Sequence, residues 1–490
     1  MTFIPDPALA AHVFPATHRN PVPAPRYNLV VIGGGTAGLV AAAGAAGLGA
    51  RVALVERRAM GGDCLNVGCV PSKALIRAAH AAHAVRQAGR LGVHAHVDRI
   101  DFSAVMDRVR EVRQGISPHD SVARFASLGV DVFLGDARFS GRRSATVEGS
   151  TLPFAKAVIA TGGRPAMPDI PGLAAAAPFT NDTVFEIDAQ PGRLLVIGGG
   201  PIGCELAQAF QRLGSQVTLV QSADTLLGRE SRDDAGLVRA ALEADGVVVR
   251  TRSRVVGVQS AAGDAHRIDI ECDDQPASAI EVDRILVATG RRPNVEQLGL
   301  ELAGVAWTDR GVTVDEHFRT SNRAIFAAGD VCMPQQFTHA ADASARAVVQ
   351  NALFLGRKQV SAASIPRCTY TDPEIAHVGE VAGEGTTTFD VPWSDVDRAR
   401  TDDEQAGGVR VYAREGKVVG GTVIGRNAGD LIGEIAVLVA HRVPLSTLAG
   451  IIHPYPTRAD AIRKTGDLYN RTRLTPFVRT LFKHWLAWRR

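Results

Sequence analysis

Short apolar runs that stop at glycine recur along this chain, and two of them open a longer unit that is written twice. YNLVVIGGGTAGLVAAAGAAGLGARVALVER, from Tyr27 to Arg57, and GRLLVIGGGPIGCELAQAFQRLGSQVTLVQS, from Gly192 to Ser222, share one order of elements: apolar strand, glycine turn, helix, apolar strand. Three further segments end a strand in a glycine turn: AVIATGGRP (Ala157 to Pro165), RILVATGRRPN (Arg284 to Asn294) and TSNRAIFAAGDVC (Thr320 to Cys332). From about Ile365 to Gly466, β-like runs (VRVYA, KVVGGTVIG) alternate with an Ala/Leu-rich helical run around Ile432 to Ala440, which predicts a separate α+β unit. Beyond Pro476, Phe477, Leu481, Trp485 and Trp488 recur at i, i+4, i+8 and i+11, so they share one face of a short helix whose other face carries Arg479 and Lys483.

The repeated unit carries chemistry. Gly33, Gly35 and Gly38 form G-x-G-x-x-G directly after the apolar run Leu29 to Ile32, and Glu56 closes the next strand. A pyrophosphate can sit on the helix N-terminus while Glu56 accepts from a ribose hydroxyl. Gly198, Gly200 and Gly203 repeat the spacing, but the position matching Glu56 is Gln221, with Arg229 eight residues on. Gln221 has no charge to repel a 2′-phosphate, which tilts the second site toward NADP(H). Two dinucleotides, one per copy, is the economical reading. In TSNRAIFAAGDVC, Gly329 and Asp330 end a strand, where a carboxylate suits a polyol hydroxyl as well as a helix N-cap.

With 490 residues, 46% hydrophobic and 21% charged, and a net charge of +3, the chain reads as about three ordinary globular domains with no polyanionic partner. Nucleic acid is not expected. Six prolines fall in the first 26 residues, which predicts an extended N-terminal arm rather than a signal peptide. No apolar run is long enough to span a bilayer, so the body is expected in the cytoplasm. The mixed charges of Asp395, Asp397, Arg398, Arg400, Asp402, Asp403 and Glu404 read as a solvated turn without chemistry.

Two of the six cysteines, Cys64 and Cys69, lie close together in GGDCLNVGCVPSKAL. On a regular helix they would be about 7.5 Å apart along the axis, beyond the roughly 7 Å that a disulfide bridges. A bridge needs a distorted turn, which Gly68 permits, and would be easy to reduce. Zinc lacks a second ligand pair nearby, and two buried inert thiols is the bland alternative. No resident metal is assigned. Cys204, Cys272, Cys332 and Cys368 are scattered and read as inert.

GGDCLNVGCVPSK, the two dinucleotide repeats, ATGRRPN, AAGD and TDPEIAHVG together resemble the class I flavoprotein disulfide reductases, the group of dihydrolipoamide dehydrogenase, glutathione reductase and mercuric reductase, most closely its mercuric-reductase-like members. The resemblance covers about residues 27 to 466. It implies an α/β protein of two Rossmann-like domains and a C-terminal α+β dimerisation domain: FAD on 27–170 and 291–360, NAD(P) on 171–290, homodimer contacts on 361–470, and a basic amphipathic tail at 471–490 after the arm at 1–26. The FAD set becomes Gly33, Gly35, Gly38, Glu56, Gly62, Thr161, Gly162, Gly329, Asp330 and Thr338; the NAD(P) set becomes Gly198, Gly200, Gly203, Gln221 and Gly290. Electrons from NAD(P)H would pass through FAD to a Cys64–Cys69 disulfide, with Cys69 against the flavin and Cys64 as interchange thiol. Lys73 and Glu205 resemble the ion pair between flavin and nicotinamide.

The chain departs from the family near its end. Where disulfide-acting members have His-Pro-Thr with a Glu five residues after the His, IIHPYPTRADAIRK puts Tyr455 at the base position and Asp460 at the carboxylate position, with His453 two residues upstream. A phenol titrates near ~10 and imidazole near ~6.5, so dithiol exchange should be slow. His453 is either an alternative base or a structural histidine. The sequence ends HWLAWRR without the second cysteine pair of mercuric reductases. Three readings stay open: a reductase of a small acceptor (metal ion, quinone or low-molecular-weight disulfide), a redox-sensing flavoprotein with little turnover, and a dihydrolipoamide dehydrogenase. For the tail, docking on the dimer, contact with the inner face of an anionic membrane and contact with a protein partner are the expected alternatives.

Overall fold

Val52–Glu56 is buried at every position and Tyr27–Ile32 at all but one, the pattern of strands covered on both faces. They are neighbours in a seven-stranded sheet whose parallel part runs Val130–Leu134, Val52–Glu56, Tyr27–Ile32, Ser150–Ile159 and Ile325–Ala327, with Ser144–Val147 and Ala137–Gly141 added antiparallel. The computed structural model describes residues 6–273 and 275–490. Thr36–Gly47 and Thr338–Leu353 pack on each other through Ala41, Ala45, Ala345 and Val349, small side chains that let two helices come close beside the sheet.

The second copy of the repeat builds a parallel sheet in the order Val248–Arg250, Gln216–Val220, Arg193–Ile197, Arg284–Val287. An antiparallel sheet of Ser253–Ser260, His266–Cys272 and Gln275–Val282 shares its core through Val220, Ile268 and Val287. The two ATG segments also meet: Gly163–Pro165 pairs antiparallel with Arg291–Pro293. Both sheets belong to one unit, the chain up to Leu226 together with Leu242–Val360.

The other unit is Leu227–Ala241 with Ser361–Arg490. Its five-stranded antiparallel sheet runs Arg367–Thr369, Glu374–Gly379, Lys417–Gly425, Gly408–Arg414, Thr387–Pro392, and Ala428–Ala440 and Asp460–Arg473 supply Ile435 and Ile462 to the core. Leu227–Ala241, expected within the coenzyme domain, groups here because its carboxylates are held: Arg367 Nε lies 2.6 Å from Glu230 Oε1 and Arg410 Nη1 2.7 Å from Asp234 Oδ1. Among the described residues no helix is long and apolar enough to cross a membrane.

The expectation of an extended N-terminal arm is corrected. Pro7–Val13 is a helix capped by Asp6, which accepts from the Ala8 and Leu9 amides, and Leu9 and Val13 are fully buried in the core around Val31 and Phe125. Proline at the first helical position favours a helix there, so Pro7 marks a helix start, while Pro15, Pro21, Pro23 and Pro25 follow in a stretch without helix or strand. Residues 1–5 of the arm lie outside the described residues. Leu9→Ala should therefore cost about 2–5 kcal/mol of stability, the loss for a buried leucine, seen as a lower urea midpoint. Leu48→Ala, at a position 60% exposed, should leave the midpoint in place; equal midpoints for both would return the segment to a loose arm.

Candidate active site

The helix that carries Cys64, Gly62–Asn66, ends before Cys69 opens the long helix Cys69–Gln87. The break is made at Gly68, where a Cβ would stand 2.8 Å from the Asp63 carbonyl oxygen. The two cysteines thus leave a common helix axis, and their thiols reach hydrogen-bond contact. That contact polarises the pair. Cys64, as donor, draws the Cys69 thiol down to about 6; burial opposes this, and Thr338, whose Oγ1 is 3.4 Å from Cys69 Sγ, and the Lys73 cation assist it. The same hydrogen bond, with burial, pushes the Cys64 thiol far up. One thiolate and one thiol share a site.

Lys73 follows one turn after Cys69, and its Nζ lies 2.8 Å from Glu205 Oε2. Glu205 is buried on the helix Pro201–Leu213, so the expected ion pair joins the cysteine helix to the helix that starts at the second glycine turn. A charge-assisted bond of this kind fixes both ends in place. Sequence reading missed Arg291. Its guanidinium hydrogen-bonds Asp63, beside Cys64, and the Gly163 carbonyl at 2.9 Å, with Asp330 Oδ2 3.7 Å from Nε. Burial pushes Asp330 up to about 6 even though Arg291 pulls the other way. The only sequence signal was its place as the first arginine of GRRPN, directly after Gly290.

The glycine turns have the shape that a dinucleotide requires. Gly33 takes φ +110° and Gly198 φ +111°, conformations that favour glycine. A Cβ on Gly38 would lie 1.8 Å from Gly33 O, and one on Gly203 1.9 Å from Gly198 O, so each helix seats directly on its strand. At the middle glycines the surroundings are open: a Cβ on Gly200 meets nothing within 4 Å, and on Gly35 only the Gly62 Cα at 3.6 Å. Backbone amides at a helix N-terminus with room before them form a pyrophosphate cradle. Glu56 Oε2 accepts from the Gly34 amide at 2.6 Å and Oε1 from the Arg58 amide at 2.7 Å, and Gln221 Oε1 accepts from the Gly199 amide at 2.9 Å. Thr161 and Asn294 exchange two bonds, Thr161 Oγ1 to Asn294 O at 2.7 Å and Asn294 Nδ2 to Thr161 O at 2.9 Å, and hold the turn at Gly162 (φ +64°) near the Arg291 strand. Gly329 (φ +74°), Thr338 at a helix start and Gly290 (φ +131°) complete the expected sets. The donors and cradles fit FAD at the first turn and a nicotinamide dinucleotide at the second.

In the C-terminal unit the expected pairing changes. Tyr455 is 73% exposed, and its hydroxyl donates to Asp397 Oδ2 at 2.9 Å rather than to Asp460; that hydrogen bond holds the phenol above its ordinary range. Asp460 is taken by its own helix, with Arg463 Nε at 2.8 Å. His453 has Glu434 Oε1 3.0 Å from Nε2 and the Ile451 carbonyl 3.2 Å from Nδ1. The acidic stretch read as solvated is a tether: buried Arg458, stacked on Trp393, pairs with Asp402 and Glu404, and Asp397 anchors Tyr455.

Two dinucleotide cradles, a lysine–glutamate pair between them and a polarised thiol pair define a flavin-dependent disulfide reductase. The chain belongs to the class I pyridine nucleotide-disulphide oxidoreductases: residues 27–347 match that family and residues 365–465 its dimerisation domain, which supports a homodimer. It is an enzyme that uses FAD and NAD(P)H. It is 33% identical over 446 residues to a mercuric reductase of Staphylococcus aureus (89% of this chain, 81% of that one) and 35% identical over 459 residues to a dihydrolipoyl dehydrogenase of Thermus scotoductus (90% and 97%). Among solved structures, the Cu(II) complex of the HOCl-induced flavoprotein disulfide reductase RclA from Escherichia coli superposes with TM-score 0.80 at 26% identity, covering 91% of this chain and all of that one.

The asymmetry of the thiols can be read directly. Iodoacetamide labelling of the reduced enzyme, followed by mass spectrometry at each cysteine, should set in below the ordinary thiol range at Cys69 and above it at Cys64. Lys73→Met removes a cation that favours the thiolate and should move the Cys69 midpoint upward. A common midpoint at both positions would show that the pair is not polarised.

Proposed function

We propose that this enzyme takes a hydride from NADPH and delivers the two electrons through Cys64 and Cys69 to a thiophilic metal ion. FAD, when bound, accepts the hydride and passes the electron pair to the sulfur pair. The observation that carries the metal reading is the base position. Releasing a thiol from a disulfide substrate requires a proton near neutral pH, and Tyr455, tied to Asp397 and raised, is a poor donor of one, while His453 is held by Glu434. A soft cation asks for no such proton. It is drawn to thiolate and displaces the proton that Cys64 retains; the two sulfurs then give up an electron pair and close to the Cys64–Cys69 disulfide, and either one cation that takes two electrons or two that take one each leave reduced. The names of two relatives, a mercuric reductase and a reductase solved with Cu(II), support this reading. The dihydrolipoyl dehydrogenase relative supports a disulfide acceptor instead, against which Tyr455 weighs.

The roles follow from position. Cys69 supplies the thiolate that faces the flavin, Cys64 the interchange thiol, and Lys73 with Glu205 the charged link between flavin and nicotinamide. NADPH is preferred because Gln221 spends its oxygen on the Gly199 amide, which leaves its NH2 to donate outward, where a carboxylate would repel a 2′-phosphate. Exposed Arg229 adds positive charge to the same segment.

NADPH oxidation by the FAD-loaded enzyme should saturate with Hg(II) or Cu(II) and run at least tenfold faster than with lipoamide or glutathione disulfide, and Cys64→Ser should abolish it. Faster turnover with lipoamide would overturn the metal reading. For the coenzyme, Gln221→Glu should shift the ratio of kcat/KM toward NADH by roughly tenfold, about 1.4 kcal/mol. A wild-type preference for NADH would overturn that assignment.

A further inference from the structure

The segment after the last acidic residue, Asp467, carries Arg471, Arg473, Arg479, Lys483, Arg489 and Arg490 and no carboxylate side chain. Within it Pro476–Trp488 is a helix, started by proline and capped by Thr475, whose hydroxyl accepts from the Val478 amide. None of its residues is buried. Phe477, Leu481, Phe482, Trp485, Leu486 and Trp488 are each more than half exposed, and the indoles of Trp485 and Trp488 touch at 5.3 Å between ring centroids. This is a concentrated apolar surface with nothing of its own chain upon it.

The shape of that surface says what it suits. At about 100° per residue, these six side chains cover an arc of about 180°, and Arg479, Thr480, Lys483 and His484 occupy the remainder. A helix docked on a globular body usually shows a narrower apolar stripe, on the order of 100°. A helix lying in the plane of a bilayer interface buries about half its circumference and keeps its basic half among the headgroups. Tryptophan prefers that layer, where its ring is apolar and its N–H stays wet. The charge complements one class of lipid. Six basic side chains without a carboxylate match an anionic headgroup surface.

We propose that Pro476–Trp488 is an interfacial helix that binds the enzyme reversibly to anionic phospholipid. The apolar half enters the acyl boundary and Arg479 and Lys483 meet phosphate groups. The helix lies outside the matched family domains, which end at residue 465, so this attachment leaves the catalytic residues untouched. In a homodimer it is present twice, and two modest anchors on one body bind a surface far more tightly than one.

Full-length holoenzyme should co-sediment with phosphatidylglycerol vesicles at least tenfold more than with phosphatidylcholine vesicles, and less in high salt. A chain ending at Asn470 should lose this binding while remaining dimeric by sedimentation. Two substitution variants separate the contributions: Trp485→Ser with Trp488→Ser removes apolar contact at constant charge, and Arg479→Glu with Lys483→Glu removes charge at constant apolar area; each should weaken binding by at least fivefold. Tryptophan emission should shift to the blue with phosphatidylglycerol and not with phosphatidylcholine. Equal sedimentation of the full and shortened chains would overturn the proposal. So would a shortened chain that falls apart into monomers, since the helix would then be covering the partner copy.

Discussion

Everything chemical in this chain depends on how closely a helix can approach the strand before it. A side chain at Gly38 would stand 1.8 Å from the Gly33 carbonyl oxygen, and at Gly203 1.9 Å from that of Gly198. Only with hydrogen at those positions do the helices begin where the strands end, with their amides aimed outward. From that contact follow the placement of Glu56 and Gln221 on the glycine turns and the start of the helix that carries Glu205. A methyl group at either glycine would displace a whole helix, so the smallest residue in the motif controls the largest displacement.

The redox centre is assembled across these elements by charge. Lys73 comes from the cysteine helix and Glu205 from the coenzyme helix, and their contact at 2.8 Å ties two segments 132 residues apart in sequence. A second tie lies at the opposite ends of the same two helices: buried Asp245 accepts from Arg212 Nε at 2.8 Å and lies 3.2 Å from His83 Nδ1. The cysteine helix is therefore fastened near both ends to its neighbour. Arg291 does similar work for the loop before it, joining Asp63 to the strand that pairs with Gly163–Pro165. Buried ion pairs add little net stability, but they fix geometry, which electron transfer between stacked groups requires.

What the sequence disclosed and what it withheld divide along physical lines. Both repeats, the ATG turns, the Cys64–Cys69 pair and the terminal amphipathic helix were legible, because each rests on spacing within one short segment. Of the four cysteines read as buried and inert, Cys204 is buried while Cys272, Cys332 and Cys368 are half-buried, and burial pushes the Cys204 and Cys332 thiols well up. Contacts between distant residues were not legible. Arg291 with Asp63, Tyr455 with Asp397 and Arg458 with Glu404 each join segments that share no pattern, and an aspartate in a charged run looks the same whether it is solvated or holds a tyrosine. The N-terminal helix was hidden for another reason. Proline marks both helix starts and extended arms, and only the burial of Leu9 and Val13 decides between them.

The acceptor question turns on proton supply rather than on electron supply. The Cys69 thiolate is favoured by Cys64, Thr338 and Lys73, all local to the site. On the proposed reading, proton delivery would rest on the residue at the base position, Tyr455. An imidazole can give and take a proton near pH 7, whereas a phenol already committed to a carboxylate gives one reluctantly, because losing it would leave two negative charges about 3 Å apart. Replacing the base thus changes which acceptors are fast without altering the flavin, the cysteines or the coenzyme site. A substrate that carries positive charge and binds sulfur directly needs no such proton, which is why the proposed acceptor is a thiophilic cation rather than a disulfide.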